Sequence, residues 1–110
     1  MQEVDRDNFE QEVIKSDELV IVDFWAKWCS PCRMQTPILE SLVIKNPNVK
    51  FVKIDIDANN ELAVKYNISS IPTLILFFGG EIKTSIIGLR KEEYLQRVIN
   101  EFNNKTEEEG

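Results

Sequence analysis

Histidine is absent from this chain, and cysteine occurs only twice among its 110 residues. A protein zinc site takes about four ligands, mostly from those two side chains, so a metal would require two chains to share it. Two cysteines are also too few for the several bridges of a small secreted scaffold. Positive charge is in deficit: 13 basic against 19 acidic residues leave a net charge of -6. Such a surface repels nucleic acid and anionic lipid, and no basic patch with interleaved aromatics counters it. Long apolar runs are missing too. The longest, Ile71 to Phe78, is of strand length and contains a proline and a threonine, well short of the ~18 residues of a membrane span. The first residues, MQEVDRDNFEQEV, are acidic and polar where an export signal is basic and then apolar. A cytoplasmic protein is expected, although a processed mature chain would read the same way.

What is present fits one domain. Hydrophobic residues make up 43% of the chain, enough for a single core, and there is no internal repeat or linker. Gln2 to Val4 reads as a short edge strand. Asp7 and Glu10 have capping-box spacing ahead of a helix to about Lys15, with Phe9 and Val13 on one face. The near-continuous apolar run LVIVDFW, Leu19 to Trp25, reads as a strand buried on both faces. A helix is predicted from about Pro31 or Cys32 to Ile44, with Met34, Ile38, Leu42 and Ile44 turned inward and Pro37 kinking it. Asn46-Pro47-Asn48 is a turn. Val49 to Ile56 forms the next strand and Asn59 to Tyr66 a short helix. Thr73 to Phe78 and Glu81 to Ile87 are strands joined at Gly79-Gly80. The last helix is predicted over Arg90 to Phe102, with Tyr94, Leu95, Val98, Ile99 and Phe102 inward. The order β-α-β-α-β-α-β-β-α, with right-handed crossovers, puts helices on both faces of one mixed sheet. The domain spans 1–104, and 105–110 is expected to be a frayed acidic tail.

The two cysteines lie in Trp25-Ala26-Lys27-Trp28-Cys29-Ser30-Pro31-Cys32-Arg33, directly after a buried strand and at the opening of a helix. A bridge across two residues removes little entropy from the unfolded chain, so stapling explains the pair poorly. At a helix start, unpaired N–H groups and the positive helix end stabilise a thiolate. Cys29 should therefore titrate below the free thiol value of roughly 8.5. Pro31 suits the first turn, where its missing N–H would be unpaired anyway. Cys32 lies about one turn further in and can reach back. The roles follow from thiol exchange: Cys29 attacks a substrate disulfide, and Cys32 resolves the mixed disulfide. The alternatives are a shared metal site and an inert or purely structural pair.

Several residues surround the pair. Asp23 interrupts the LVIVDFW strand, on one face with Leu19, Ile21 and Trp25. A buried carboxylate has a raised pKa and can accept the Cys32 proton; the alternative is a strand-end aspartate that reaches solvent or caps the helix. Lys53 shares a face with Val49 and Phe51, and either snorkels outward or pairs with Asp23. Ile71-Pro72-Thr73 opens a strand, where a free backbone edge can pair with an extended substrate. From sequence alone Pro72 is read as trans. Trp25 is read as core. Trp28 is either recognition surface or half-packed shielding, and Gly88 either leaves room for a partner or is a turn glycine.

VDFWAKWCSPCRMQTPILESL, followed by VKIDIDANNELAVKYNISSIPTLILFFGGE and IIGL, closely resembles the thioredoxin family across nearly the whole chain. The resemblance implies a thioredoxin fold, with a three-layer α/β/α arrangement. It implies that Cys29 is an exposed nucleophile, that Cys32 resolves, and that buried Asp23 assists proton transfer with Lys53 nearby. Pro72 matches a cis proline facing the disulfide, against the trans default. Trp28, Ile71, Pro72 and Gly88 match positions around the substrate surface, and Thr73 is counted with them as substrate-binding. Family members take electrons from a thioredoxin reductase and pass them to protein disulfides without a cofactor. Nothing in the sequence demands an oligomer, so a monomer is expected. One departure stands out: Ser30-Pro31 replaces the usual Gly-Pro, which bears on redox poise and on fit to a reductase. The leading expectation is a protein-disulfide reductase. An oxidant or isomerase would favour a histidine beside the cysteines and an export segment. A thioredoxin-fold interaction module would have no need of a buried Asp23.

Overall fold

The computed structural model describes residues 1–109, with side chains described through residue 103. Five strands form one sheet: β1 (Gln2–Glu3), β2 (Leu19–Trp25), β3 (Val49–Asp55), β4 (Thr73–Phe78) and β5 (Glu81–Ile87). Their spatial order is β1-β3-β2-β4-β5. β1 and β2 run parallel to β3, whereas β4 is antiparallel to both β2 and β5. The helices are α1 (Ser30–Lys45), α2 (Asn60–Lys65) and α3 (Glu92–Glu109), preceded by a π-type turn at Glu10–Ile14.

Alternation along β2 divides the core. Val20, Val22 and Phe24 face the layer containing Phe9, Val13 and Leu62, under the π-turn and α2. Leu19 and Ile21 face Leu39, Leu42, Leu95 and Ile99, under α1 and α3. Flanked by β3 and β4, β2 has no free edge, and each face is covered by helix. That is why LVIVDFW is apolar in nearly every position. Asp23 falls by parity on the α1/α3 side.

Several expected details differ. The inward stripe of α1 is Cys32, Gln35, Leu39 and Leu42, while Met34 and Ile44 are exposed at 59% and 82%. Cys32 sets the phase of the helix, and Met34 and Ile44 then fall on its outer side. Helix α1 continues through Pro37, where the Arg33 carbonyl loses its ordinary donor. The N-terminal cap is Asp5 with Asn8, not Asp7 with Glu10: Asn8 N–H donates to Asp5 Oδ1 at 3.1 Å and Asp5 N–H to Asn8 Oδ1 at 2.8 Å. Tyr94 is 38% exposed, lying beside the guanidinium groups of Arg90 and Arg97.

Helix α3 starts at Glu92, two residues after the predicted Arg90, because both backbone groups of Arg90 are bonded to the Gln35 side chain. It runs past Phe102 to Glu109. The expected frayed tail at 105–110 ends on Gly110, outside the described residues, as are the tail's side chains. No helix among the described residues is long and apolar enough to cross a membrane.

Candidate active site

Strand β2 delivers the chain into the turn Ala26–Trp28, and Cys29 follows as the N-cap of α1. Cys29 and Cys32 are joined by a disulfide with their Cα atoms 5.3 Å apart. The Cys32 N–H donates to Cys29 Sγ at 3.2 Å. An orphan donor of the first helical turn is thus aimed at the sulfur, the arrangement that stabilises a thiolate once the bridge is reduced. In this oxidised state Cys29 is less open than the resemblance implied, at 4% exposed, with Cys32 at 1%. The two are still inequivalent, because Cys29 borders a surface cleft and Cys32 does not.

That cleft has a volume of about 460 Å³. The Trp28–Pro31 turn forms one wall, the 68–71 segment the other, with Ile56 between them. Trp28 is 66% exposed, and its Nε1–H donates to Asp57 Oδ2 at 2.8 Å. It is therefore an exposed ring held by a tether rather than shielding packed over the bridge. Asp57 escaped the sequence reading; the only sign of it was its place in the polar turn after β3. Ser30 Oγ accepts from Arg33 Nη2 at 3.1 Å, and Arg33 Nη1 donates to the Lys27 carbonyl at 2.6 Å. The hydroxyl that distinguishes Ser30 from glycine thus ties the cysteine turn to an arginine. Pro31 lies in the first turn of α1.

On the opposite side stands the start of β4. The Ile71–Pro72 bond is cis, as the resemblance implied and contrary to the trans default. The Ile71 carbonyl oxygen lies 3.8 Å from Cys29 Sγ. Gly88 has φ +90 and donates its N–H to the Pro72 carbonyl at 2.8 Å. A Cβ there would meet nothing within 4 Å, so conformation rather than crowding in the free protein explains the glycine. Thr73 is buried, and its hydroxyl donates to the Ser70 carbonyl at 2.6 Å. Its side chain thereby closes the turn that leads into β4.

On β2, two residues before Trp25, Asp23 is 2% exposed and its Oδ1 has no hydrogen-bond partner. Burial raises its pKa from 3.8 to about 7, opposed by the positive charge of Lys53. The two residues are register partners across β2 and β3. The ammonium, however, stands 5.0 Å from the centroid of the Trp25 ring and acts on Asp23 through its field rather than by a direct ion pair. Trp25, read as core, is partly buried beside the cysteines, with its Nε1 unpaired. Among the described residues no group of three histidine, cysteine or acidic side chains could hold a metal ion.

Comparison with known proteins agrees with this geometry. The family profile of thioredoxin matches residues 1–101. Thioredoxin from Rickettsia bellii is 51% identical over 94 residues, covering 84% of this chain and 90% of that protein. Thioredoxin from Chlamydia pneumoniae is 46% identical over 97 residues, covering 88% and 93%. Thioredoxin from Streptomyces clavuligerus is 42% identical over 97 residues, covering 88% and 91%. With a disulfide-bonded cysteine pair at a helix start, and with relatives spanning nearly its whole length, the chain belongs to the thioredoxin family of thiol–disulfide oxidoreductases.

Proposed function

We propose that the chain reduces protein disulfides with Cys29 as the attacking thiolate and Cys32 as the resolving thiol. The observation that carries this is the inequivalence of the two sulfurs. Cys29 borders the cleft and accepts the Cys32 N–H, while Cys32 is enclosed on the inner face of α1 beside the strand that bears Asp23.

In the first step the Cys29 thiolate attacks one sulfur of the substrate disulfide. A Cys29–substrate S–S bond forms, and the other substrate sulfur leaves as a thiolate that takes a proton. Trp28, Ile71, Pro72 and Gly88 receive the substrate chain, with Thr73 setting the turn rather than touching it. The Cys32 thiol then gives its proton to the Asp23 carboxylate, directly or through water. The resulting thiolate attacks Cys29 Sγ, the Cys29–Cys32 bond closes, and the second substrate sulfur is released. The substrate gains two electrons, and this pair loses two. Asp23, with a pKa near 7, is matched to neutral pH for accepting and returning a proton, and Lys53 modulates it.

Family members are reduced by thioredoxin reductase; we assign this chain the same donor. It acts in the cytoplasm as a monomer, without a cofactor. Insulin reduction by variants tests the roles: Cys29→Ser should abolish turnover, and Cys32→Ser should trap a mixed disulfide visible by mass spectrometry. Normal turnover by Cys29→Ser would end this reading. The reduction potential separates reductant from oxidant. A value near about -270 mV, the reference figure for thioredoxin itself, supports the former, and one near about -180 mV the latter.

A further inference from the structure

Gln35 follows Cys32 by three residues on α1, so the two side chains share a helix face. It is fully buried, 0% exposed, on the same stripe as the apolar Leu39 and Leu42. A primary amide in such a place is unfavourable unless its oxygen and nitrogen both find partners. Both partners here belong to one residue: Nε2 donates to the Arg90 carbonyl at 3.2 Å, and the Arg90 N–H donates to Oε1 at 3.0 Å. The side chain thereby pins the loop between β5 and α3 to the helix that carries the cysteines.

The same loop carries Gly88, whose N–H holds the Pro72 carbonyl. Pro72 follows Ile71, whose carbonyl oxygen stands beside Cys29 Sγ. The contacts close a circuit from Cys32 through Gln35, Arg90, Gly88, Pro72 and Ile71 back to Cys29. An apolar side chain would fill the space of Gln35 but would leave both Arg90 backbone groups without these partners. The loop would then have to move to recover bonds from solvent.

We infer that Gln35 is a positioning residue for protein substrates: its amide holds the Gly88–Arg90 loop, and through it the Ile71–Pro72 segment, in place beside the disulfide. This rests on the reading that protein disulfides dock on Ile71, Pro72 and Gly88. A small disulfide that needs only Cys29 does not use that surface, so the role divides the two substrate types.

Kinetics of Gln35→Leu and Gln35→Met on insulin and on a dithionitrobenzoate disulfide test it. KM for insulin should rise about tenfold, the scale of losing one to two net hydrogen bonds. The kcat on insulin, the rate with the small disulfide and the reduction potential should stay unchanged. Equal losses on both disulfides, a shifted potential, or an unchanged KM would overturn the assignment. Amide hydrogen exchange of the unmodified protein gives a reading independent of how the variants fold: the Arg90 and Gly88 amides should be protected together, and rapid exchange at Arg90 would refute the clamp. Ile71→Ala tests the docking surface separately. A raised KM there with unaltered Gln35 variants removes the Gln35 role and leaves docking intact; unaltered KM throughout removes both.

Discussion

Replacing Asp23 with asparagine isolates the energetics of one buried carboxylate. In the folded protein its pKa stands at about 7, raised by burial and held back by Lys53; in the unfolded chain it returns to roughly 3.9. Between those values the native state binds a proton that the unfolded state has released. Stability contributed by this group therefore falls as pH rises through the window and levels off above about 7. Each pH unit corresponds to about 1.36 kcal/mol. From about pH 5 to about pH 8.5, only the two units below 7 count, so the unmodified protein should lose about 3 kcal/mol through Asp23. Asparagine does not titrate, and whatever its buried amide costs is the same at both pH values. The stability of Asp23→Asn relative to the unmodified protein should thus be about 3 kcal/mol more favourable at the higher pH. Urea titration of the two oxidised proteins at both pH values measures this double difference directly. Parallel stability profiles for the two proteins across that range would refute the burial argument. The same variant should slow closure of the Cys29–Cys32 bond from the mixed disulfide, because Cys32 loses its proton acceptor.

Three further outcomes follow from neighbouring contacts. Lys53→Met removes the charge that opposes burial, so the Asp23 pKa should climb above about 7; carbon-13 titration of its carboxyl reads this, and a lower value would contradict the opposing roles. Leu39→Ala empties a site only 1% exposed between α1 and the sheet, and should lower unfolding stability by about 2–5 kcal/mol; a loss under about 1 kcal/mol in urea would mean that the layer can collapse onto the gap. Ser30→Gly removes the Arg33–Ser30 bond while Arg33 keeps its hold on the Lys27 carbonyl. A net hydrogen bond is worth about 0.5–1.5 kcal/mol, so equilibration with a dithiol buffer should show the potential moving by no more than about 30 mV. A shift beyond about 60 mV would mean that Ser30 acts on the sulfurs by another route.

The parts of the site readable from the chain are those fixed by local chemistry. Cys29, Pro31 and Cys32 carry their mechanism in their spacing and in lying between an apolar strand and a helix start. Asp23 announced itself as a charge in a run with no room for one. Apolar identity does not pick out the inward face of α1: Gln35 is polar yet buried, Met34 and Ile44 apolar yet exposed. What decides such positions is the phase of the helix against the sheet. The contacts of Asp57 and Thr73 are not legible in the chain for a related reason. Their partners, the Trp28 indole and the Ser70 carbonyl, are set by how a turn folds rather than by residue type.

By itself, the sequence determined the strand and helix order, the burial of β2 on both faces and the identity of the reacting sulfurs. Each of these depends on periodicity, on helix-end chemistry or on a residue's own functional group, which are properties of contiguous chain. Tertiary structure alone decided how Lys53 acts on Asp23, the approach of the Ile71 carbonyl to Cys29 and the Gln35–Arg90 clamp. Those depend on residues between 30 and 55 positions apart, whose meeting is set by sheet register and helix phase. No local propensity encodes it.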